Sequence, residues 1–141
     1  MTTRIYPACF YKDIDGYSVI FPDLNWLATD GKNLEEAMRN AIDCLAGYLY
    51  YEEKENKKIP KPTDISKIDP IKIAKELDPN DKSIDGFVNY VSVDIEKYAK
   101  EHFEKSVKKT LTIPVWLNEL AIEKNINFSK VLQEALMKIL L

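Results

Sequence analysis

Hydrophobic and polar positions alternate along some parts of this chain and recur at helical spacing along others, and the changes between the two outline its elements. "RIYPACFYK" is apolar and aromatic, which predicts a strand, with Pro7 placing it at a sheet edge or a bulge. "DIDG" predicts a turn at Asp15-Gly16, "YSVIF" the return strand, and a third short strand falls near Trp26 to Thr29. Leu34, Ala37, Met38, Ala41, Ile42, Leu45, Tyr48 and Leu49 then form the strongest helical stripe in the chain. Asn33 is its expected cap, and Glu36 sits where a capping-box carboxylate reaches back. From 53 to 86 the pattern weakens into a Lys- and Pro-rich loop holding Pro60, Pro62, Pro70 and Pro79, with one short helix at "DPIKIAKEL" capped by Asp69. "GFVNYVSVDI" has apolar residues on both faces and predicts a central, covered strand, followed by a helix that Asp94 can cap.

The last stretch is organised differently. In "VKKTLTIP", Leu111 and Ile113 point to one side of an extended strand, and Lys108, Thr110 and Thr112 to the other, before Pro114 ends it. Two amphipathic helices follow. The first carries Leu117, Leu120 and Ala121 and ends at Asn125 with Ile126 folding back. The second is expected to be capped by Ser129 and carries Val131, Leu132, Ala135, Leu136, Ile139 and Leu140. One strand and two such helices cannot close a core alone. The economical solution is a symmetric dimer in which two copies of the strand pair antiparallel over a shared core of Leu111, Ile113, Leu117, Leu132 and Leu136. Its outer face then presents Lys108, Thr110 and Thr112 twice. A two-stranded ribbon of that kind fits the DNA major groove, with helix N-termini at Ser129 beside it for phosphate.

The pattern therefore predicts an α+β chain in two parts, a βββαβα unit over 1–104 with its long loop at 53–86, and a strand–helix–helix unit over 105–141. Charge follows the same division. Met1 to Glu53 holds 4 cations against 9 anions, and Lys105 to Leu141 holds 6 cations against 3 anions. An acidic front and a basic tail suit two different partners. No run is long or apolar enough to span a bilayer, and the N-terminus lacks the apolar core of a secretory signal, so a cytoplasmic location is expected. Cys9 and Cys44 form no metal motif and are read as buried thiols in a reducing compartment.

Candidate chemistry adds little. Asp13, Asp15, Asp23 and Asp94 are the available carboxylates, but two sit at a hairpin turn and one at a helix cap, so no acid/base or two-metal constellation is assembled. His102 stands on a charged helix with no Cys or His at ligand spacing, which predicts a solvated side chain. No enzyme activity, metal or cofactor is expected.

"KKTLTIPVWLNELAIEKNINFSKVLQEAL" resembles the ribbon-helix-helix family of bacterial repressors. "YPACFYKDIDGYSVIFPDL" and "ATDGKNLEEAMRNAIDCLAGYL" resemble the HicB antitoxins, with their Y-P-A, G-Y-x-V-x-F-P-D-L and E-E-A signatures. The resemblance implies a front unit similar to a partial RNase H fold that binds and blocks HicA, a small toxin with a double-stranded-RNA-binding-like fold that cleaves mRNA with a histidine. It implies a tail that binds double-stranded operator DNA and represses the toxin–antitoxin operon as a homodimer, or as a higher assembly of that dimer. The family's base-reading positions carry over onto Lys108, Thr110 and Thr112, and its phosphate-contact region onto Asn127, Ser129 and Lys130. One departure is visible: the family often has Pro-Gly after "PDL", where this chain has Asn25-Trp26, leaving Trp26 either as a candidate toxin contact or as core. The other readings are a ribbon-helix-helix regulator whose front unit senses a small ligand, and a degenerate RNA-processing enzyme.

Overall fold

The computed structural model describes residues 3–82 and 85–141, so positions 83–84 of the expected loop, and residues 1–2, lie outside them. The chain divides into two compact units, Met1–Lys105 and Ser106–Leu141.

The first unit is built on an antiparallel four-stranded sheet. β1 (Thr3–Asp13) and β2 (Gly16–Phe21) form the expected hairpin, β3 (Leu27–Gly31) follows, and β4 (Gly86–Asp94) returns much later, giving the order β3-β2-β1-β4. The hairpin turn is tight: Asp13 pairs with Gly16, Gly16 adopts a φ of +143, and the Asp15 N–H donates to Asp13 Oδ1 at 2.9 Å.

Two strand placements differ from the sequence reading. β1, which contains Pro7, is an interior strand with an unbroken register to β4, neither an edge nor a bulge. Proline is accommodated because the β2 ladder reaches only as far as Cys9, so at Pro7 the side of β1 facing away from β4 is already unpaired. β4, expected to be central, is the terminal strand. Its apolar residues on both faces arise because layers lie on both faces of the sheet, not because strands lie on both of its sides.

Helix α1 (Leu34–Lys54) covers one face. Asn33 caps it, accepting from Glu36 N–H at 2.8 Å, while the Glu36 carboxylate reaches back one residue further than expected, to Lys32 N–H. Ala37, Ala41, Leu45 and Leu49 are buried against Phe10, Val19, Phe21 and Val91, and α3 (Ile95–His102), capped by Asp94, adds Ile95 to the same core. Burying Leu45 completely contributes about 2 kcal/mol.

The long connection passes from this core to the other face. Ile59 packs on the main core and the Tyr6 hydroxyl donates to Pro60 O, Asp23 accepts from the Thr63 backbone and hydroxyl, and Tyr11 donates to Pro70 O at 2.7 Å. A 3-10 turn at Ile65–Lys67 leads into α2 (Pro70–Leu77), whose cap Asp69 accepts from Ile71 and Lys72 N–H. Ala74, Ile68 and Ile73 pack there against Cys9, Tyr11, Ile20 and Val88.

The second unit consists of residues 106–114, which join no ladder, then α4 (Val115–Glu123) and α5 (Phe128–Leu140). None of its residues is buried.

Candidate functional site

The tail unit carries most of the residues expected to act. Lys108, Thr110 and Thr112 are all exposed, on a segment with no hydrogen-bonded neighbour strand among the described residues. Asn125 takes the left-handed conformation with a φ of 55, and the Asn125 and Ile126 N–H groups bond back to Ile122 O and Ala121 O, each at 3.0 Å, closing α4 as its sequence predicts. The start of α5 differs. Asn127, not Ser129, is the cap, accepting from Lys130 N–H at 3.1 Å, and Ser129 lies inside the first turn. Asparagine ranks with serine as a cap, and starting at Phe128 lets α5 gain two residues. Asn127, Ser129 and Lys130 thus share one helix N-terminus, where backbone N–H groups and the helix dipole favour an anion.

Behind that segment lies an open groove of about 740 Å³, with Leu111, Ile113, Leu117, Ile126 and Leu132 among the residues lining it. Four of the five expected core residues, Leu111, Ile113, Leu117 and Leu132, are brought together here. Leu136 does not line the groove and is exposed. Leu111 is 63% exposed.

In the front unit the candidate carboxylates are taken up by backbone and side-chain contacts. Asp13 is engaged by the Asp15 N–H, Asp23 by Thr63 and Asp94 by Lys97 N–H, so three of the four candidate carboxylates brace the backbone. A small cleft of about 270 Å³ gathers Asp13, Asp15, Asp30 and Glu36 beside Lys32, but among the described residues no group of three metal-ligating side chains converges. His102 is exposed, its ring stacked on Tyr98 at 3.9 Å. Burial pushes the Cys9 and Cys44 thiols up, away from the reactive thiolate; Cys9 is buried and Cys44 half-buried, both free. The Tyr98 hydroxyl is pushed up to about 12 by burial and by its 2.9 Å hydrogen bond to Asp43.

Trp26 is not core. It is 44% exposed, in a turn where Leu27 N–H donates to Leu24 O at 3.1 Å and both central residues are left-handed, Asn25 at a φ of 57 and Trp26 at 61. Glycine and asparagine favour that geometry, whereas an indole side chain there is strained. The Asp23–Thr63 clamp beside this turn was invisible in the sequence, since forty residues separate the pair and neither belongs to a motif that couples them.

A family model described as the HicB-like antitoxin of a bacterial toxin–antitoxin system matches residues 5–74. A solved structure described as a toxin–antitoxin complex from Streptococcus pneumoniae contains a chain 31% identical to this one, matching 96% of this chain and 98% of its own with a TM-score of 0.70. The chain belongs to the HicB-like antitoxin family. Two further structures share the family name at lower similarity. A HicB3 antitoxin is 25% identical over 98% of each chain with a TM-score of 0.46, and a chain of a HicA3–HicB3 toxin–antitoxin complex is 22% identical over 62% of this chain and 94% of its own, at 0.47. No curated protein matches. Within this HicB-like chain the family model spans β1, β2, β3, α1 and most of α2, and the pneumococcal match extends through the tail unit. Among the described residues no helix is long and apolar enough to cross a membrane.

Proposed function

We propose that this HicB-like antitoxin neutralises a HicA-type RNA-cleaving toxin with its front unit and represses its own operon with its tail, through two binding surfaces and no catalysis. The observation that carries the tail's part is the coincidence of a ladder-free segment at 106–114 with an apolar groove that has no buried residue. Two copies of Val107 to Ile113, paired antiparallel, would satisfy the segment's backbone groups and close the groove over Leu111, Ile113, Leu117 and Leu132 in one step. This is the ribbon-helix-helix arrangement. Lys108, Thr110 and Thr112 then face the major groove in duplicate, and the α5 N-termini with Asn127, Ser129 and Lys130 reach the flanking phosphates.

The front unit, read as a partial RNase H-like domain, takes the toxin. Its acidic first third suits a basic RNA-binding partner, because opposite potentials speed encounter and penalise wrong pairings. Trp26, strained and half-exposed, is the anchor we assign to that contact. Two operator-reading heads on one dimer raise the effective concentration of the second on a palindromic site, and toxin occupancy is linked reciprocally to operator affinity.

The test is co-expression with the small basic protein encoded beside this gene. The pair should co-purify, the complex should lose the toxin's RNA cleavage, and the antitoxin should shift DNA from upstream of its own gene. Failure to form the complex would remove the toxin half of the reading, and failure to bind that DNA would remove the repressor half.

A further inference from the structure

Every second residue of the tail's extended segment turns into the groove. Lys109, Leu111 and Ile113 line it, whereas Lys108, Thr110 and Thr112 do not. Two of the three inward side chains are the apolar groups a ribbon core needs, and the third carries a full charge. The rest of the lining does not answer that charge. From α4 and α5 it is apolar apart from Asn118, Lys124 and Ser129, so it brings a second ammonium and no carboxylate. The tail's carboxylates, Glu119, Glu123 and Glu134, all lie outside it. Among the described residues Lys109 makes no salt bridge.

In a single copy this costs little, because the groove is open and Lys109 is exposed to water. Closing the groove changes its surroundings. On the proposed pairing of two copies of Val107 to Ile113, on which this role rests, symmetry places Thr110 on the two-fold axis. Lys109 then stands opposite Leu111 of the second copy, and Val107 opposite Ile113. The two Lys109 residues become diagonal neighbours, roughly 7–8 Å apart, on the face that turns to the core. A lysine stem can follow apolar surface and lift its ammonium to the rim. Here two like charges leave from the centre of one face, with Lys124 and no acid in the lining to meet them. Desolvation and repulsion both oppose the pairing.

We propose that Lys109 is a regulatory residue of the tail, whose charge holds ribbon pairing weak in the free antitoxin and makes it depend on anions that screen the lysine pair. Dissolved salt supplies such anions sparsely. Duplex DNA supplies them densely, with one negative charge per about 1.7 Å of its axis. The ribbon therefore assembles more firmly on DNA than off it. Lys109 itself faces the core and reads no base; it sets how much of the pairing is left for the operator to complete.

The experiment follows hydrogen exchange at the backbone amides of residues 108–113 by mass spectrometry on the full-length chain, with Leu111→Lys as the unpaired baseline. Lys109→Met should slow that exchange at least about tenfold relative to the unaltered chain at equal concentration. Lys109→Gln, which removes the charge without adding apolar surface, should slow it too. Raising sodium chloride from about 0.1 M to about 1 M shortens the screening length from roughly 10 Å to roughly 3 Å, and should slow exchange by a larger factor in the unaltered chain than in either variant. Duplex DNA from upstream of the gene should do the same. Equal exchange in the unaltered chain and both Lys109 variants, all slower than the baseline, overturns the role of Lys109 and leaves the pairing standing. Faster exchange in the variants overturns it as well, since the lysine then supports the ribbon. Slowing in Lys109→Met alone traces the effect to apolar area and overturns the part given to charge. Exchange at the baseline rate in every chain, with and without DNA, removes the pairing itself and Lys109 with it. Weaker DNA binding by Lys109→Met with unchanged exchange makes Lys109 a DNA contact and overturns the regulatory role.

Discussion

At the scale of single residues, two side chains hold positions whose cost and benefit separate cleanly. Trp26 occupies a left-handed backbone conformation that glycine adopts freely. Trp26→Gly should therefore stabilise the isolated antitoxin, by about 1 kcal/mol in chemical denaturation, while weakening its complex with toxin. Stabilisation with unchanged toxin affinity would remove Trp26 from the contact. Tyr11 is the converse case, buried with its hydroxyl on Pro70 O. Tyr11→Phe should cost about 1 kcal/mol by leaving that carbonyl unanswered. It should also reduce an alkaline sensitivity. Burial raises Tyr6, Tyr11 and Tyr98 above their ordinary 10.0, so the fold holds these protons more tightly than the unfolded chain does. Their contribution is complete below 10.0 and is lost as pH climbs from there through the raised values. The midpoint of urea unfolding should fall across that range, less steeply in Tyr11→Phe.

At the scale of elements, what could be read from sequence was whatever local physics decides. The stripe from Ala37 to Leu49, the Asn33, Asp69 and Asp94 caps, and the Asn125 stop depend on neighbours within four residues, and each is where the pattern placed it. Strand order is a long-range property, and there the pattern misled. Val88, Val91 and Val93 look alike whether a strand is central or terminal, because α2 and α1 cover both faces in either case. The α5 cap slipped by two residues because "NFS" offers two capping residues and the alternation of apolar positions cannot choose between them. Of the expected tail core, Leu136 alone falls outside the groove, whose α5 lining runs from Phe128 to Ala135. The segment at Val107 to Ile113 is where an element-level prediction belongs. Thr110→Ala should weaken specific operator binding by about 1–3 kcal/mol in a gel-shift titration and leave toxin neutralisation intact. Loss of neutralisation with operator binding spared would reverse the roles given to the two units.

At the scale of the whole molecule, the two units differ in how they hold themselves together. The front unit keeps a buried core from Tyr6 to Ala99, so a chain lacking residues 106–141 should still unfold cooperatively in urea, with repression lost and toxin binding retained. A non-cooperative transition would mean that the front depends on the tail. The tail has no such reserve. Its apolar side chains line a groove rather than a core, and whatever closes that groove supplies its folding free energy by mass action. On the proposed function, a tail that solidifies only as copies accumulate would make the operator respond to how much antitoxin the cell contains: scarce chains would leave the promoter open, abundant ones would shut it, and the gauge would lie in the absence of a private interior.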